Sequence, residues 1–379
     1  MPISSKILSP RKLTLYSVLP PGQTCCVLPP LESIELPFQQ SQFTDIIDVR
    51  SPAEFADDHI PGAINLPALT NDQRAEVGTL DKQKSPFVAR RRGAALITGN
   101  LSSHLKGPLS EKGKDFTPLV YCWRGGLRSR SVATVLRSVG WKTSIVQGGY
   151  KAYRNYVISR TKEIFLQKNL QIYALSGLTG TGKTRLLHTL RDQGEQVLDL
   201  EGLADHKGSL LGGNPDAPQP SQRMFESRLL QALEGINSSR PVWTEAESNR
   251  IGKVQCPPAL WQALSEAMVF KIELEIDSRA RLLKADYPHF LDDPDSLLDI
   301  LEHLRKLRGN PQVDLWQDQV RKRDWDPFLK SILLDHYDLS YRRPGEKSNY
   351  QEAARVFTLT DETSQSLETT ANELIATSR

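Results

Sequence analysis

Short apolar runs bounded by turn-forming residues recur along the chain and alternate with segments of helical character. In the front half, TDIIDVR, PLVYC and SIVQGG are typical of buried strands, and RSRSVATVLRSVG is typical of a helix that ends at Gly140. In the rear half, strands are predicted at QIYALSG, EQVLDLEG, RPVWTEAES and VFKIELEID, the last with period-two alternation. This order of elements predicts α/β architecture in both halves.

The same pattern divides the chain into domains. We expect a weakly ordered N-terminal extension over 1–30, a first domain over 31–157, a linker over 158–170, and a second domain over 171–379 whose C-terminal part is mostly helical. A basic insert of helical character, about 70–117, interrupts the first domain. It is too long for an ordinary connection, so we expect it to have a functional role.

Length and composition agree with two domains. The 379 residues are 39% hydrophobic and 25% charged. No apolar run approaches the ~20 residues of a membrane span, and the N-terminal region lacks the apolar core of a signal peptide. We therefore expect a cytoplasmic protein without a membrane partner.

The four cysteines show neither CxxC pairs nor Cys/His ligand spacing, which argues against structural zinc and a disulfide framework. They are Cys25, Cys26, Cys122 and Cys256.

Charge is unevenly distributed. The whole chain carries a net charge of +3, yet residues 48–154 contain 17 Lys and Arg against 9 Asp and Glu. The front half is therefore expected to prefer anionic partners.

The stretch GLTGTGKT, residues 177–184, has the G-x-x-x-x-G-K-[ST] spacing of a phosphate-binding loop between a strand and a helix. Its glycines, Gly177, Gly180 and Gly182, let backbone N–H groups turn toward phosphate oxygens. The helix N-terminus and Lys183 add positive charge, and Thr184 is placed to hold Mg²⁺. No other metal site is predicted.

An acidic partner for this loop is less clear. RPVWTEAES offers Glu245 and Glu247, and Asp199 at the end of EQVLDL is a rival. A surface salt bridge or helix cap remains open for both glutamates. Because no residue stands out as a base that activates water, phosphate binding without nucleotide hydrolysis is expected.

Cys122 lies in YCWRGGLRSRS, between a predicted strand and a predicted helix. Successive N–H groups can converge there on an anion held at the sulfur, while the helix dipole and the arginines favour the thiolate. Cys25, Cys26 and Cys256 have no such setting. The predicted anion-binding residues are Trp123, Arg124, Gly125, Gly126, Leu127, Arg128 and Ser129, with Arg130 beside them.

Three motifs occur in the order found in rhodanese domains. DVRSPAEFADDHIPGAINLP, YCWRGGLRSRS and GGYKAYR resemble the opening motif, active loop and closing motif of that family. The resemblance implies that Cys122 carries sulfur or selenium as a persulfide or perselenide. Two positions depart from the pattern: Asp58 replaces the usual glycine before histidine, and the loop is Cys-x5-Arg, one residue longer than the common form.

A rhodanese domain followed by a phosphate-loop domain resembles the tRNA 2-selenouridine synthase family. Further stretches support this, among them GLADHKGSLLGG and PQPSQRMFES. The resemblance implies that wobble 2-thiouridine in the tRNA anticodon loop is S-geranylated from geranyl diphosphate. Selenium from selenophosphate then replaces the geranylthio group. It also implies functional roles for Cys122 and for Gly177, Gly182, Lys183 and Thr184. We further expect a monomer without a tightly bound organic cofactor.

Candidate tRNA contacts follow from this resemblance. Trp123 beside the cysteine could stack on the splayed base. Two basic clusters are candidates for backbone contacts: Arg90, Arg91 and Arg92 in the insert, and Arg321, Lys322 and Arg323 near the end.

Two alternatives stay open at this point. One is a cysteine phosphatase or arsenate-reductase-like enzyme with a nucleotide-binding regulatory domain. The Cys-x5-Arg spacing suits it, although Tyr121 stands where phosphatases usually have histidine. The other is a nucleotide-dependent kinase with an inactive rhodanese module, which the intact cysteine loop disfavours.

Overall fold

The computed structural model describes residues 30–167, 170–209, 211–213, 218–246, 248–341 and 352–378. The predicted extension over 1–30, with Cys25 and Cys26, lies outside this part of the chain except for Pro30. Two parallel sheets of five strands organise the described residues. The α/β prediction is confirmed in both halves.

The first sheet has the strand order β1-β5-β4-β2-β3, with every pair parallel. Its central strands are buried on both faces, as their continuous apolar runs predict. The elements of this domain are β1 (Ser33–Ile34), β2 (Ile46–Asp48), α1 (Pro52–Asp57), β3 (Ala63–Asn65), α2 (Asn71–Gln83), α3 (Pro86–Lys106), β4 (Leu119–Tyr121), α4 (Leu127–Val139), β5 (Ser144–Val146) and α5 (Gly149–Gln167).

The basic insert forms α2 and α3, which pack against each other. A capping box starts α2: the Thr70 hydroxyl accepts the Gln73 N–H, and the Gln73 side chain accepts the Thr70 N–H. From Ala89 to Leu101 only every fourth residue of α3 is buried, and most of its other side chains are exposed.

The helix α5 joins the two domains. Its first half packs beside the first sheet, and its side chains share one apolar core with α8 of the second domain. The expected linker, 158–170, includes the C-terminal half of this helix.

The second sheet has the order β12-β11-β6-β8-β7, again with every pair parallel. A two-stranded antiparallel hairpin, β9 and β10, lies apart from it. The elements up to the last inner strand are β6 (Ile172–Ser176), α6 (Lys183–Asp192), β7 (Gln196–Leu198), α7 (Leu200–Leu203), α8 (Gln222–Glu234), β8 (Val242–Glu245), β9 (Arg250–Ile251), β10 (Val254–Gln255), α9 (Pro258–Ser265) and β11 (Met268–Glu273).

The C-terminal part is mostly helical, as predicted, and its helices enclose an apolar core of their own. The chain then returns to the second sheet as its edge strand, β12. The elements are α10 (Ile276–Asp286), α11 (Pro288–Asp292), α12 (Pro294–Glu302), α13 (Arg305–Arg308), α14 (Asn310–Arg321), α15 (Trp325–Ile332), a π-helical turn (Leu333–Asp338), α16 (Leu339–Tyr341), β12 (Arg355–Thr358) and α17 (Ser364–Ser378). No helix in the described ranges is both long and apolar enough to cross a bilayer.

Candidate active site

Cys122 lies directly after β4 and just before the first turn of α4. Its side chain is buried, and its Sγ accepts the Gly126 N–H at 3.3 Å and lies 3.2 Å from the Ser129 hydroxyl. Gly125 has φ +65°, a left-handed conformation that favours glycine. The loop therefore curls around the sulfur, and the helix N-terminus faces the position that an anion would occupy.

A second glycine turn supports this loop from behind. The N–H groups of Tyr150 and Lys151 donate to the carbonyls of Cys122 and Trp123, each at 2.9 Å. Gly149 has φ +61°, and a Cβ there would lie only 2.3 Å from the Cys122 carbonyl oxygen. The turn at the start of α5 thus fixes the cysteine loop, and it requires glycine to do so.

The three arginines of the loop have different environments. Arg128 donates to Glu54 at 2.8 Å, Arg130 donates to the Gly125 carbonyl at 3.2 Å, and Arg124 is exposed. Burial opposes ionisation of Glu54, but the hydrogen bond and charge of Arg128 outweigh it, and the Glu54 pKa lies below its usual value. Arg128 is therefore held in place by a carboxylate of α1.

An aromatic and apolar rim surrounds the loop. The half-buried Trp123 packs against Tyr150 with ring centroids 5.2 Å apart, and Leu127 is 63% exposed. The predicted role of Trp123 as a stacking surface for a base stays a prediction.

Beneath the loop lies a buried polar network that the sequence reasoning did not identify. Arg50 forms a bidentate ion pair with Asp48, and its guanidinium lies 3.8 Å from the Tyr150 ring centroid. The Tyr150 hydroxyl donates to Asp58 at 2.7 Å. Burial raises the Asp58 pKa above its usual value, and among the described residues its Oδ1 has no hydrogen-bond partner. The aspartate noted above as a departure from the rhodanese pattern is thus a fully buried acid.

The phosphate loop follows β6 and opens α6, in the setting predicted from its spacing. Gly177, Gly180 and Gly182 all have positive φ, and a Cβ at Gly177 would lie 2.5 Å from the Ile272 carbonyl oxygen. The Lys183 ammonium donates to the Gly177 carbonyl at 2.9 Å, so it folds over the loop. The glycines and the lysine have the arrangement that phosphate binding needs.

Thr184 has a carboxylate partner that the sequence reasoning missed. Its hydroxyl donates to Glu201 at 2.9 Å. Glu201 follows strand β7, in the segment LDLEG, and β8 separates that strand from the phosphate-loop strand β6. Only the folded sheet brings Glu201 to Thr184. Glu245 is fully buried at the end of β8, where it accepts the Leu200 N–H at 3.2 Å.

The other two residues predicted as acidic partners of the phosphate loop are Asp199 and Glu247. Asp199 accepts the Gly202 N–H at 2.7 Å and lies 2.8 Å from His188, so it caps α7. Glu247 lies outside the described residues.

The donors beside the phosphate loop fit Mg²⁺ that arrives with a phosphorylated substrate. Mg²⁺ is commonly held by one or two carboxylates together with substrate phosphates and water, and Thr184 with Glu201 offers one hydroxyl and one carboxylate. In the described ranges, no cluster of three His, Cys, Asp or Glu could hold a metal alone. Thr184 and Glu201 therefore suit an ion that a bound phosphate group also contacts.

Contacts of α5 and α1 with α8 hold the two domains together. Arg154 forms an ion pair with Glu226, and Asp57 pairs with Arg223 at 2.7 Å.

Both predicted basic clusters are at the surface. Arg90, Arg91 and Arg92 lie on α3, where Arg92 pairs with Glu76 at 2.7 Å. Arg321, Lys322 and Arg323 lie at the end of α14, where Lys322 pairs with Asp318 at 2.6 Å. The two clusters thus belong to different domains.

Comparison with known proteins identifies the family. The rhodanese-like domain family matches residues 34–156, and the family described as the tRNA 2-selenouridine synthase AAA domain matches residues 170–295. A tRNA 2-selenouridine synthase of Marinobacter nauticus is 31% identical over 329 residues, which are 78% of this chain and 87% of that protein. This chain belongs to the tRNA 2-selenouridine synthase family. The predicted family, the order of its two domains and its enzyme class are confirmed.

Two further tRNA 2-selenouridine synthases show the extent of the similarity. The protein of Chromohalobacter salexigens is 31% identical over 334 residues, or 81% of this chain and 89% of that protein. The protein of Nitrosomonas europaea is 37% identical over 248 residues, or 64% of this chain. The matched region is 63% of the length of the Nitrosomonas europaea protein.

Proposed function

We propose that this chain converts wobble 2-thiouridine of tRNA to 2-selenouridine in two steps. The observation that carries the proposal is that this chain has two separate glycine-rich loops at helix N-termini, each with a geometry suited to an anion. One is a thiol loop at Cys122 and the other is the 177–184 phosphate loop. Two sites suit two different donors.

In the first step, the sulfur of 2-thiouridine attacks C1 of geranyl diphosphate. The C–S bond forms as the C–O bond breaks, and pyrophosphate leaves. The amides of the 177–184 loop and Lys183 would stabilise the negative charge on this leaving group. Mg²⁺ shared with Thr184 and Glu201 would add further positive charge when bound.

In the second step, selenium takes the place of the geranylthio group at C2. The C–Se bond forms as the C–S bond breaks, and geranylthiol leaves. Water then attacks the phosphorus, so that the Se–P bond breaks and phosphate is released. Cys122 is the proposed catalytic cysteine of this transfer. The Gly126 N–H and the Ser129 hydroxyl already contact its sulfur, so they would hold an anion there.

The partner is the anticodon loop of a tRNA, bound with its target base splayed out near Trp123. The two basic clusters would contact the phosphate backbone. We further propose that the enzyme acts as a monomer in the cytoplasm.

The test is nucleoside mass spectrometry of a 2-thiouridine-containing tRNA after incubation with the protein, geranyl diphosphate and selenophosphate. Cys122→Ala should accumulate the geranylated nucleoside and form no 2-selenouridine. Lys183→Ala should form little of either but should still convert a tRNA that is already geranylated.

Two matched variants serve as controls. Cys256→Ala removes another buried cysteine, and Lys142→Ala removes an exposed lysine, so both should resemble the wild type. Normal 2-selenouridine from Cys122→Ala would contradict the assignment. Rapid Cys122-dependent hydrolysis of p-nitrophenyl phosphate without tRNA would favour the phosphatase alternative.

A further inference from the structure

The second domain contains a pocket that the proposed reaction steps do not use. It lies among helices of the C-terminal part, and the space between its lining side chains, counted together with the solvent at its mouth, is about 480 Å³. Most of its wall is aromatic or aliphatic, formed by Leu283, Tyr287, Phe290, Trp325 and Leu329.

This pocket is continuous with the phosphate loop. Thr179 belongs both to the 177–184 loop and to the pocket wall. A Cβ placed on Gly180 would lie 3.3 Å from Leu283 Cγ, so the loop packs against a residue that also lines the pocket. A ligand held by the loop therefore has an apolar cavity beside it.

A buried ion pair fixes the loop to the pocket wall. The Arg279 Nε donates to the Thr179 carbonyl at 2.9 Å, and its terminal nitrogens pair with both carboxylate oxygens of Asp338 at 2.6 and 3.0 Å. Both side chains are 5% exposed or less. Because Arg279 lies on α10, this pair ties the phosphate loop to the helices that form the cavity.

The lining shows what chemistry the pocket suits. The rings of Tyr287 and Phe290 are stacked with centroids 6.0 Å apart, and the Lys207 ammonium lies 4.4 Å from the centroid of Tyr287. Few hydrogen-bonding groups face the interior, so a polar base would lose its contacts with water without replacement. An apolar chain would lose nothing of this kind.

We propose that this pocket binds the apolar tail of the diphosphate whose head occupies the 177–184 loop. The ligand class is a short isoprenoid diphosphate. The inference rests on the proposed function for the identity of the head group, and it adds where the tail lies and which side chains limit its length.

The inference predicts a difference in binding affinity between diphosphates with and without an apolar tail. Each methylene that leaves water contributes roughly fourfold in affinity. Geranyl diphosphate should therefore bind at least about tenfold more tightly than inorganic pyrophosphate. Dimethylallyl diphosphate, with half the tail, should fall between them.

Calorimetric titration of the full chain in Mg²⁺ with these three ligands tests the inference. Leu329→Trp places a larger side chain at a half-buried wall position and should remove most of the advantage of geranyl diphosphate while pyrophosphate binding stays within about twofold. Leu315→Trp is the matched control, because Leu315 is 48% exposed and does not line the pocket.

Several outcomes overturn the inference. It fails if wild-type protein binds geranyl diphosphate no more tightly than pyrophosphate, or if Leu329→Trp keeps the full advantage. It also fails if ADP binds more tightly than geranyl diphosphate and Leu329→Trp abolishes that binding, because the pocket then holds a nucleoside. If Leu329→Trp also weakens pyrophosphate binding, the same titrations are repeated with Leu329→Ala. The inference is then overturned if the ratio of the geranyl diphosphate affinity to the pyrophosphate affinity is the same in Leu329→Ala as in the wild type.

Failure of the proposed function has a different signature. If the folded protein binds neither diphosphate, the head-group assignment is wrong. If pyrophosphate binds and the tail adds nothing, only the pocket assignment is wrong.

Discussion

The Tyr150 hydroxyl donates a hydrogen bond to the Asp58 carboxylate at 2.7 Å, with both side chains buried between the cysteine loop and the second domain. Tyr150 lies in the first turn of α5, and its backbone N–H donates to the Cys122 carbonyl. The contact therefore connects an acid at the domain interface to the loop that carries the thiol.

This acid should make stability depend on pH. Burial raises the Asp58 pKa, so the folded protein binds the proton more tightly than the unfolded chain does. The free energy of unfolding should then fall as pH rises from the ordinary aspartate pKa through the raised one. Asp58→Asn keeps an acceptor for Tyr150 but loses the charge, so at neutral pH it should be at least as stable as the wild type.

Urea unfolding of both proteins between pH 4 and pH 8 provides the measurement. The advantage of the asparagine variant should shrink toward the acidic end. A constant deficit of that variant across the whole range would contradict the prediction.

The close approach at Gly149 predicts a large effect of one methyl group. Gly149→Ala would place Cβ against the Cys122 carbonyl in a left-handed conformation, so the loop must move. We expect a loss of roughly 2–4 kcal/mol in the free energy of unfolding, or a strong loss of selenium transfer where the loop rearranges instead.

Gly99→Ala is the matched control for this change. Gly99 lies within α3, and a Cβ there meets nothing within 4 Å. That variant should gain roughly 0.5–1 kcal/mol from helix propensity. Equal effects of the two substitutions would argue against a constrained turn.

The hydrogen bond from Thr184 to Glu201 predicts how Mg²⁺ affects diphosphate binding. Thr184→Ala removes the hydroxyl and should weaken Mg²⁺-dependent pyrophosphate binding by about tenfold, a typical effect for one polar ligand. Thr184→Ser keeps the hydroxyl and should stay close to the wild type. Titrations at several Mg²⁺ concentrations measure this, and an alanine variant with unchanged Mg²⁺ dependence would rule out the role.

The arginines of α3 should contribute unequally to tRNA binding. Arg92 is paired with Glu76, whereas no ion pair is shown for Arg90 or Arg91 within the described residues. Arg90→Ala and Arg91→Ala should each weaken tRNA binding and reduce its salt dependence, and Arg92→Ala should do so less.

Filter binding over a range of salt concentrations compares these variants with Lys162→Ala, which removes an exposed lysine outside both clusters. A salt response that is the same in all four proteins would discard this surface as a tRNA contact.

The sequence predicted the features that depend on local order. The Cys122 loop and the 177–184 loop each combine glycines with a strand before and a helix after, and the structure has both arrangements. Strand positions followed from apolar runs that are buried on both faces.

Features that depend on tertiary contacts could not be predicted in this way. Glu201 meets Thr184 because β7 and the phosphate-loop strand lie in one sheet, and no spacing rule connects the two residues. The burial of Asp58 depends on Tyr150, which is 92 positions away along the chain. The pocket wall likewise joins Thr179 to side chains from four C-terminal helices.

The 19-residue helix α5 spans about 28 Å as one rod, beginning at the thiol loop and packed along its length against the second domain. A rotation of one domain toward the other would require α5 to break or to lose its packing contacts with the second domain. If the two proposed steps take place at the two loops of one chain, the nucleotide itself must move between them, and the length of the anticodon loop limits how far apart the loops can lie.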